Sequence, residues 1–273
     1  MSEFWTGKTA VISGGSRGLG LHLAMELARQ QSHLVLIGRD ADNLRLQRDR
    51  LLQAGAMTVD SFACDAAEID LQSGFRERLE RSGVDLLVNA IGVSDRGMLD
   101  QLTREDLLNQ FNTNVLVGWS VTKSCLVPVT QNQGCIVNIG SLAGLIGTPN
   151  MGGYCVTKFA WTALTRQWRM ELKERGVHVL LVAPGPIARD DSDHRYDALL
   201  AQRGIQQKGA SKPGGGAKLR RIDPVWLSQR ILVAAAKRER ELIVPWKARI
   251  VIGLFAFAPG LAEYLLRRSL HRD

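Results

Sequence analysis

The chain has 273 residues, 45% hydrophobic and 23% charged, enough apolar material for one large α/β core without requiring a second domain. Cys64, Cys125, Cys135 and Cys155 form no C-x-x-C pair and no metal-ligand spacing, which argues against a disulfide framework or any bound metal and for reduced, mostly buried thiols. The formal charge of +8 belongs to the last quarter, where 14 Lys/Arg stand against 5 Asp/Glu from Gly204 onward, compared with 21 against 22 before it; without a zinc-finger, RRM or basic-zipper pattern, nucleic acid is not an expected partner. An anionic membrane surface, an acidic substrate or a plain solvated basic face accounts for the asymmetry.

The amino terminus, MSEFWTGKTAVISGG, lacks the basic cap, apolar core and cleavage site of a signal peptide, so cytoplasmic residence is expected. Thr9 to Ser13 then reads as a strand, and Gly14-Gly-Ser16-Arg17-Gly18-Leu19-Gly20 follows it directly and opens a helix with apolar residues at Leu19, Leu23 and Leu27. Glycines at that junction let the backbone approach a pyrophosphate, which the helix amides and dipole then hold.

A second strand, Leu34 to Ile37, ends in Gly38-Arg39. A carboxylate at this point favours NAD, whereas cations accommodate the additional phosphate of NADP. Gly38 repels nothing, and Arg39, with Arg17 flanking, favours NADP(H) over NAD. Asp40 and Asp42 oppose that reading but suit the cap of a helix beginning near Asn43, with Leu44, Leu51 and Leu52 at helical spacing.

Further strands are predicted at Val59 to Ala63, Val84 to Val88, Ile136 to Ile139, Val177 to Val182 and Glu241 to Val244. Strands apolar on both faces and separated by helices predict an α/β fold, a doubly wound, Rossmann-type parallel sheet of seven strands with helices on both faces. Asp65, closing the third strand, is either an acceptor for an adenine amino group or a turn-forming aspartate. Ser141 follows the fifth strand and would emerge at the carboxyl edge of the sheet, where it can hold a substrate oxygen. Tyr154 and Lys158 share one face of a helix running to about Glu174, and an ammonium beside a phenol is expected to draw its pKa down from about 10.

The glycine pattern of residues 14 to 20, together with Asn89, Asn114, Ser141, Tyr154-x-x-x-Lys158 and Pro184-Gly185, resembles the short-chain dehydrogenase/reductase family over about residues 5 to 190 and the strand near 243. The resemblance implies that Tyr154 exchanges a proton with the substrate oxygen and that Lys158 lowers its pKa and bonds the nicotinamide ribose. It implies too that Ser141 orients the carbonyl and that Asn114 holds a water in a relay through Lys158. Cofactor contacts are implied for Asn89, Pro184, Gly185 and the backbone of Ile187, and a homodimer or homotetramer for the assembly. Three departures stand out: Ser13 for threonine, Asn89-Ala90-Ile91-Gly92 for Asn-Asn-Ala-Gly, and Arg189 where a threonine usually meets the carboxamide.

These readings divide the chain into a catalytic domain over residues 1–245, with a substrate-loop insertion at 190–223, and a hydrophobic and basic extension over 246–273. Within the insertion, Gln206 to Arg221 (QQKGASKPGGGAKLRR) has the composition of a mobile loop, read either as a lid or as a surface insertion without a role. The extension's apolar run, about 13 residues, is shorter than the ~20 needed to span a bilayer and is interrupted by Pro259-Gly260. Its expected places are the membrane interface, a partner subunit or the rim of the pocket. The function expected is hydride transfer between NADP(H) and a ketone or secondary alcohol, with a lipid-like substrate suggested by the tail. The alternatives are a scaffolding or cofactor-sensing protein of the same fold and a peripheral membrane protein.

Overall fold

Seven short apolar runs form strands in the computed structural model of the chain, which describes residues 3–72, 74–189, 196, 200–201 and 220–271. They are β1 (Thr9–Ser13), β2 (His33–Gly38), β3 (Thr58–Ala63), β4 (Leu86–Asn89), β5 (Cys135–Ile139), β6 (His178–Pro184) and β7 (Glu241–Val244). All join one parallel sheet in the order β3-β2-β1-β4-β5-β6-β7. The expected doubly wound sheet is therefore present, with strand ends displaced by a residue or two; Val84 and Asp85 precede β4, and Asn89 completes it.

The continuous apolar character of the strands follows from burial on two faces. Ile12, Leu34, Leu36, Leu86, Val88, Leu180 and Val182 enter one core; Val11, Val35, Ile37, Leu87 and Val179, one residue out of phase, enter the other. The first core is closed by α1 (Gly18–Arg29), α2 (Ala41–Gln53) and α8 (Pro224–Ala236), through Leu19, Leu23 and Leu27 of α1, Leu44 and Leu51 of α2, and Leu227 and Ile231 of α8. Leu52, expected on the inner face of α2, is exposed, because the helix turns its apolar stripe through Leu44 and Leu51 instead. The second core receives α3 (Phe75–Ser82), α5 (Val117–Ser124), α6 (Leu126–Gln131) and the end of α7 (Gly152–Leu172). Another short helix, α4 (Arg104–Phe111), lies against α7.

The chain runs outward from β1 through β2 to β3, then returns to place β4 on the other side of β1. Loops leaving β1 and β4 therefore diverge at the carboxyl ends of the strands and open a crevice there. At its rim, the polypeptide on either side of the 190–223 insertion is tied together: Ala188 N donates to Ile222 O at 2.8 Å and Ile222 N to Pro186 O at 2.8 Å. Apart from Arg220 and Arg221, the Gln206 to Arg221 stretch lies outside the described residues.

Beyond β7 come α9 (Ala248–Phe257) and α10 (Pro259–His271), which pack on each other with Ala262 buried between them. Among the described residues no helix is long and apolar enough to cross a membrane.

Candidate active site

Glycines set the floor of the crevice. Gly14 has φ of +75°, a left-handed conformation that glycine adopts without a Cβ clash. A Cβ on Gly20 would lie 2.3 Å from the Gly14 carbonyl oxygen, so the first turn of α1 rests directly on the loop. Side chains of Asp40, Thr103 and Asp223 cap α2, α4 and α8, whereas α1 has Arg17 at its N-cap with no side-chain bond and no acidic residue in its first turn. The amides at the start of α1 are thus left to another acceptor. Its first residues, with Gly14, Ser16 and Arg17, line a cleft of about 1220 Å³, larger than the roughly 300–1,000 Å³ of most small-ligand pockets. Floor, dipole and volume fit a dinucleotide whose pyrophosphate rests on those amides.

Where β2 ends, a Cβ on Gly38 would stand 3.3 Å from Ser16 Oγ, so a longer side chain there would crowd the glycine loop. Arg39 lines the cleft, and no ion pair to it occurs among the described residues. Arg17 is engaged differently from the expectation: its guanidinium meets Asp40 at 2.6 Å, an exposed pair. Asp40 also accepts from Asn43 N at 3.0 Å, as expected of a cap, and that bond together with Arg17 holds its carboxyl below the usual range. Asp42 turns away to pair with Arg45. Asp65 lines the cleft and accepts from Ala67 N at 2.9 Å, so it serves as a turn residue while its second oxygen stays available. Pro184, Gly185, Ile187 and Arg189 form the opposite wall.

The reactive side chains converge above β5. Ser141 starts a short 3₁₀ turn (Leu142–Gly144) and caps it, its hydroxyl accepting from Ala143 N at 3.1 Å. A Cβ on Gly144 would approach the Lys158 carbonyl oxygen to 2.5 Å, so this glycine lets the Ser141 turn lie flat on α7. Ser141 consequently lies beside Tyr154, close enough to lower the pKa of its phenol. Lys158, only 4% exposed, donates from Nζ to Ile139 O at 3.1 Å and lies 5.8 Å from the centre of the Tyr154 ring. Burial lowers the Lys158 pKa to about 8. Gly92 gives it room, since a Cβ there would come within 3.1 Å of Nζ.

Two expectations need correction. The lysine does not draw the Tyr154 pKa down: burial, the largest influence, pushes it up, opposed by Ser141 and by Arg96. The physical reason is that the ammonium is bonded to Ile139 O and stands over the ring rather than at the hydroxyl. Asn89 is not on the cleft wall; its amide nitrogen donates to Thr122 Oγ1 and Asn138 Oδ1, each at 2.9 Å, and knits β4 to its neighbours. The side-chain amide of Asn114 is held by the protein itself. Its Oδ1 accepts from Val93 N at 2.8 Å, and its Nδ2 donates to Val93 O at 2.9 Å and Thr157 Oγ1 at 3.0 Å. It sits in a π-helical turn (Asn112–Leu116), a widened geometry frequent at functional sites, and fixes the strand of backbone that contains Gly92.

Some neighbours of Tyr154 were missed altogether. Arg96 is buried and stacks its guanidinium 3.7 Å from the centre of the Tyr196 ring, while the Tyr196 hydroxyl pairs with Ser94 Oγ at 2.7 Å. Both bear on the catalytic phenol, Arg96 lowering its pKa and Tyr196 raising it. A charged dipeptide, Asp95-Arg96, directly after the loop that leaves β4 was the available signal.

A family model described as short chain dehydrogenase matches residues 8–198. A 3-oxoacyl-[acyl-carrier-protein] reductase of Mus musculus is 33% identical over 189 residues, spanning 68% of this chain and 78% of that protein. The Homo sapiens protein of the same name is 33% identical over 67% of this chain and 77% of its own length. Among solved structures, an alcohol dehydrogenase from the archaeon Thermococcus sibiricus complexed with 5-hydroxy-NADP superposes with a TM-score of 0.70 at 27% identity, covering 87% of this chain and 95% of that one. An L-sorbose reductase from Gluconobacter frateurii complexed with NADPH and L-sorbose shares the fold, with a TM-score of 0.77 at 23% identity over 89% and 97% of the two chains.

Proposed function

This chain belongs to the short-chain dehydrogenase/reductase family, whose members are oxidoreductases of carbonyl and alcohol groups, and from that premise we propose that it is an NADP(H)-dependent reductase of ketones. The observation that carries the reading is the convergence of Ser141, Tyr154 and Lys158 on a cleft whose far end holds Gly38 and Arg39. The alcohol dehydrogenase structure at 27% identity contains an NADP derivative, which supports the same choice. Arg39 is the phosphate ligand in this reading, with Arg17 available only when it leaves Asp40.

The bound cofactor would supply hydride to the carbonyl carbon. Everything else belongs to the chain. Ser141 bonds the carbonyl oxygen and fixes its distance from the phenol. Tyr154, its pKa held high by burial, keeps its proton at neutral pH and gives it to that oxygen as the alcohol forms. Solvent then returns the proton to the phenolate, and Lys158, 5.8 Å from the centre of the ring, is the residue that would bond the nicotinamide ribose. An apolar ketone is the proposed substrate class, supported by the hydrophobic tail, and the relatives' name makes a 3-oxoacyl thioester the first compound to try.

The test follows NADPH absorbance in the presence of acetoacetyl thioester and long-chain ketones, with Tyr154→Phe beside the unaltered chain. Turnover reduced by about 10²–10⁴ in the variant is expected from loss of a general acid. Equal turnover would refute the assignment. A homo-oligomer is the proposed assembly, supported by exposed Leu108, Trp119 and Phe159 on α4, α5 and α7.

A further inference from the structure

The two helices that follow β7 share little with the core. No residue of α9 is buried, and α10 is packed chiefly against α9. On α9, Ile250, Leu254 and Phe257 fall at i, i+4 and i+7, one stripe, with Ile250 65% and Phe257 92% exposed. On α10, Leu261, Tyr264 and Leu265 form a second stripe, with Leu261 52% and Tyr264 58% exposed. Exposure of this kind on consecutive helices is a surface awaiting an apolar phase.

Charge selects that phase. Residues 246–273 contain five Lys/Arg and two Asp/Glu. Lys247 and Arg249 flank the α9 stripe at its start, and Arg268 ends the α10 stripe with Arg267 beside it. Glu263 is the one carboxylate among the tail's described residues, and helical geometry sets it on the side of α10 opposite Leu261 and Leu265. A second copy of this surface would oppose cation to cation, whereas lipid phosphates complement it. Trp246 and Tyr264, amphipathic aromatics and both exposed, are the residue types enriched at a bilayer's polar boundary. Each helix is too short to span, so the pair would lie along the boundary.

We propose that the α9–α10 hairpin is a docking element for an anionic lipid surface, with Ile250, Phe257, Leu261 and Tyr264 entering the headgroup region and Lys247 and Arg268 meeting lipid phosphates. Arg249 Nη2 donates to Glu241 O at 2.9 Å and anchors the hairpin to the first residue of β7. Membrane attachment is thereby coupled to the sheet that holds the reactive site, and an apolar ketone would be collected where it partitions.

The experiment is co-sedimentation of the full chain with phosphatidylcholine vesicles, with and without phosphatidylglycerol, at low and high salt. The expected result is binding to the anionic vesicles that weakens with salt, falls about fivefold for each of Lys247→Gln and Arg268→Gln, and is lost in Phe257→Asp/Leu261→Asp. Circular dichroism and cofactor-titrated tryptophan fluorescence of each variant check that the fold and the dinucleotide site remain. Equal binding to both vesicle types would overturn the proposal, as would retention in the double aspartate variant. It would also be overturned if sedimentation velocity showed the tail joining two copies and no vesicle binding.

Discussion

Lys158→Met should make the protein more stable while depriving it of activity. The wild-type lysine falls from its ordinary pKa of 10.5 to about 8 on burial, and at roughly 1.4 kcal/mol per unit this is a cost of about 3 kcal/mol when the amine is protonated. Replacement by methionine removes that cost but also loses the bond to Ile139 O, about 1 kcal/mol. A net gain of about 2 kcal/mol at neutral pH follows. Between pH 8 and 10.5 the unfolded chain binds the lysine proton and the folded chain does not, so wild-type stability rises with pH and the variant's advantage disappears.

Other groups act on both curves in the opposite sense. Burial raises Tyr154, Cys125 and Cys135, the last to about 12, so in alkali the folded chain retains protons that the unfolded chain loses and stability declines. These contributions are common to both proteins and cancel in their difference. Urea unfolding of each protein without added cofactor, from pH 7 to 10.5, therefore isolates Lys158. A pH-independent difference, or a variant less stable at pH 7, would refute the burial argument.

Other substitutions probe the surrounding geometry. Gly92→Ala places a methyl group 3.1 Å from Lys158 Nζ and 3.4 Å from Asn114 Oδ1, so kcat should fall about tenfold or more with little change in cofactor affinity, measured by steady-state kinetics and fluorescence titration. Arg39→Ser should weaken NADPH binding by about tenfold or more, the value of one charge-assisted bond, and leave NADH binding nearly unchanged; equal loss for both cofactors would contradict the phosphate assignment. Asn89→Ala should lower stability by about 1–3 kcal/mol in urea unfolding through the orphaned Thr122 and Asn138 groups, without a specific loss of cofactor affinity.

Local pattern accounts for what was legible. Strand identity followed from β-branched and leucine-rich runs, and the parallel, doubly wound character of the sheet from their alternation with helices. The glycine loop and the Tyr154–Lys158 pair were readable because each depends on residues close in sequence. Asn89 was misassigned, and the side-chain partners of Asn114 were not foreseen, for the opposite reason, since Asn138, Thr122, Val93 and Thr157 lie far along the chain or are brought together only by folding. The rise in the Tyr154 pKa was hidden because desolvation depends on packing, and spacing of residues reveals only the nearby cation. Arg96 and Tyr196 are 100 positions apart and meet by tertiary contact alone.

The most direct measurement of the central claim uses NADPH with both C4 hydrogens of the nicotinamide replaced by deuterium, supplied with acetoacetyl thioester or a long-chain ketone and followed by mass spectrometry of the alcohol. The account predicts one deuterium on the carbinol carbon of a product formed by the wild-type chain, and almost no product from Tyr154→Phe. Alcohol without deuterium, or deuterated alcohol made equally well by the phenylalanine variant, would contradict it.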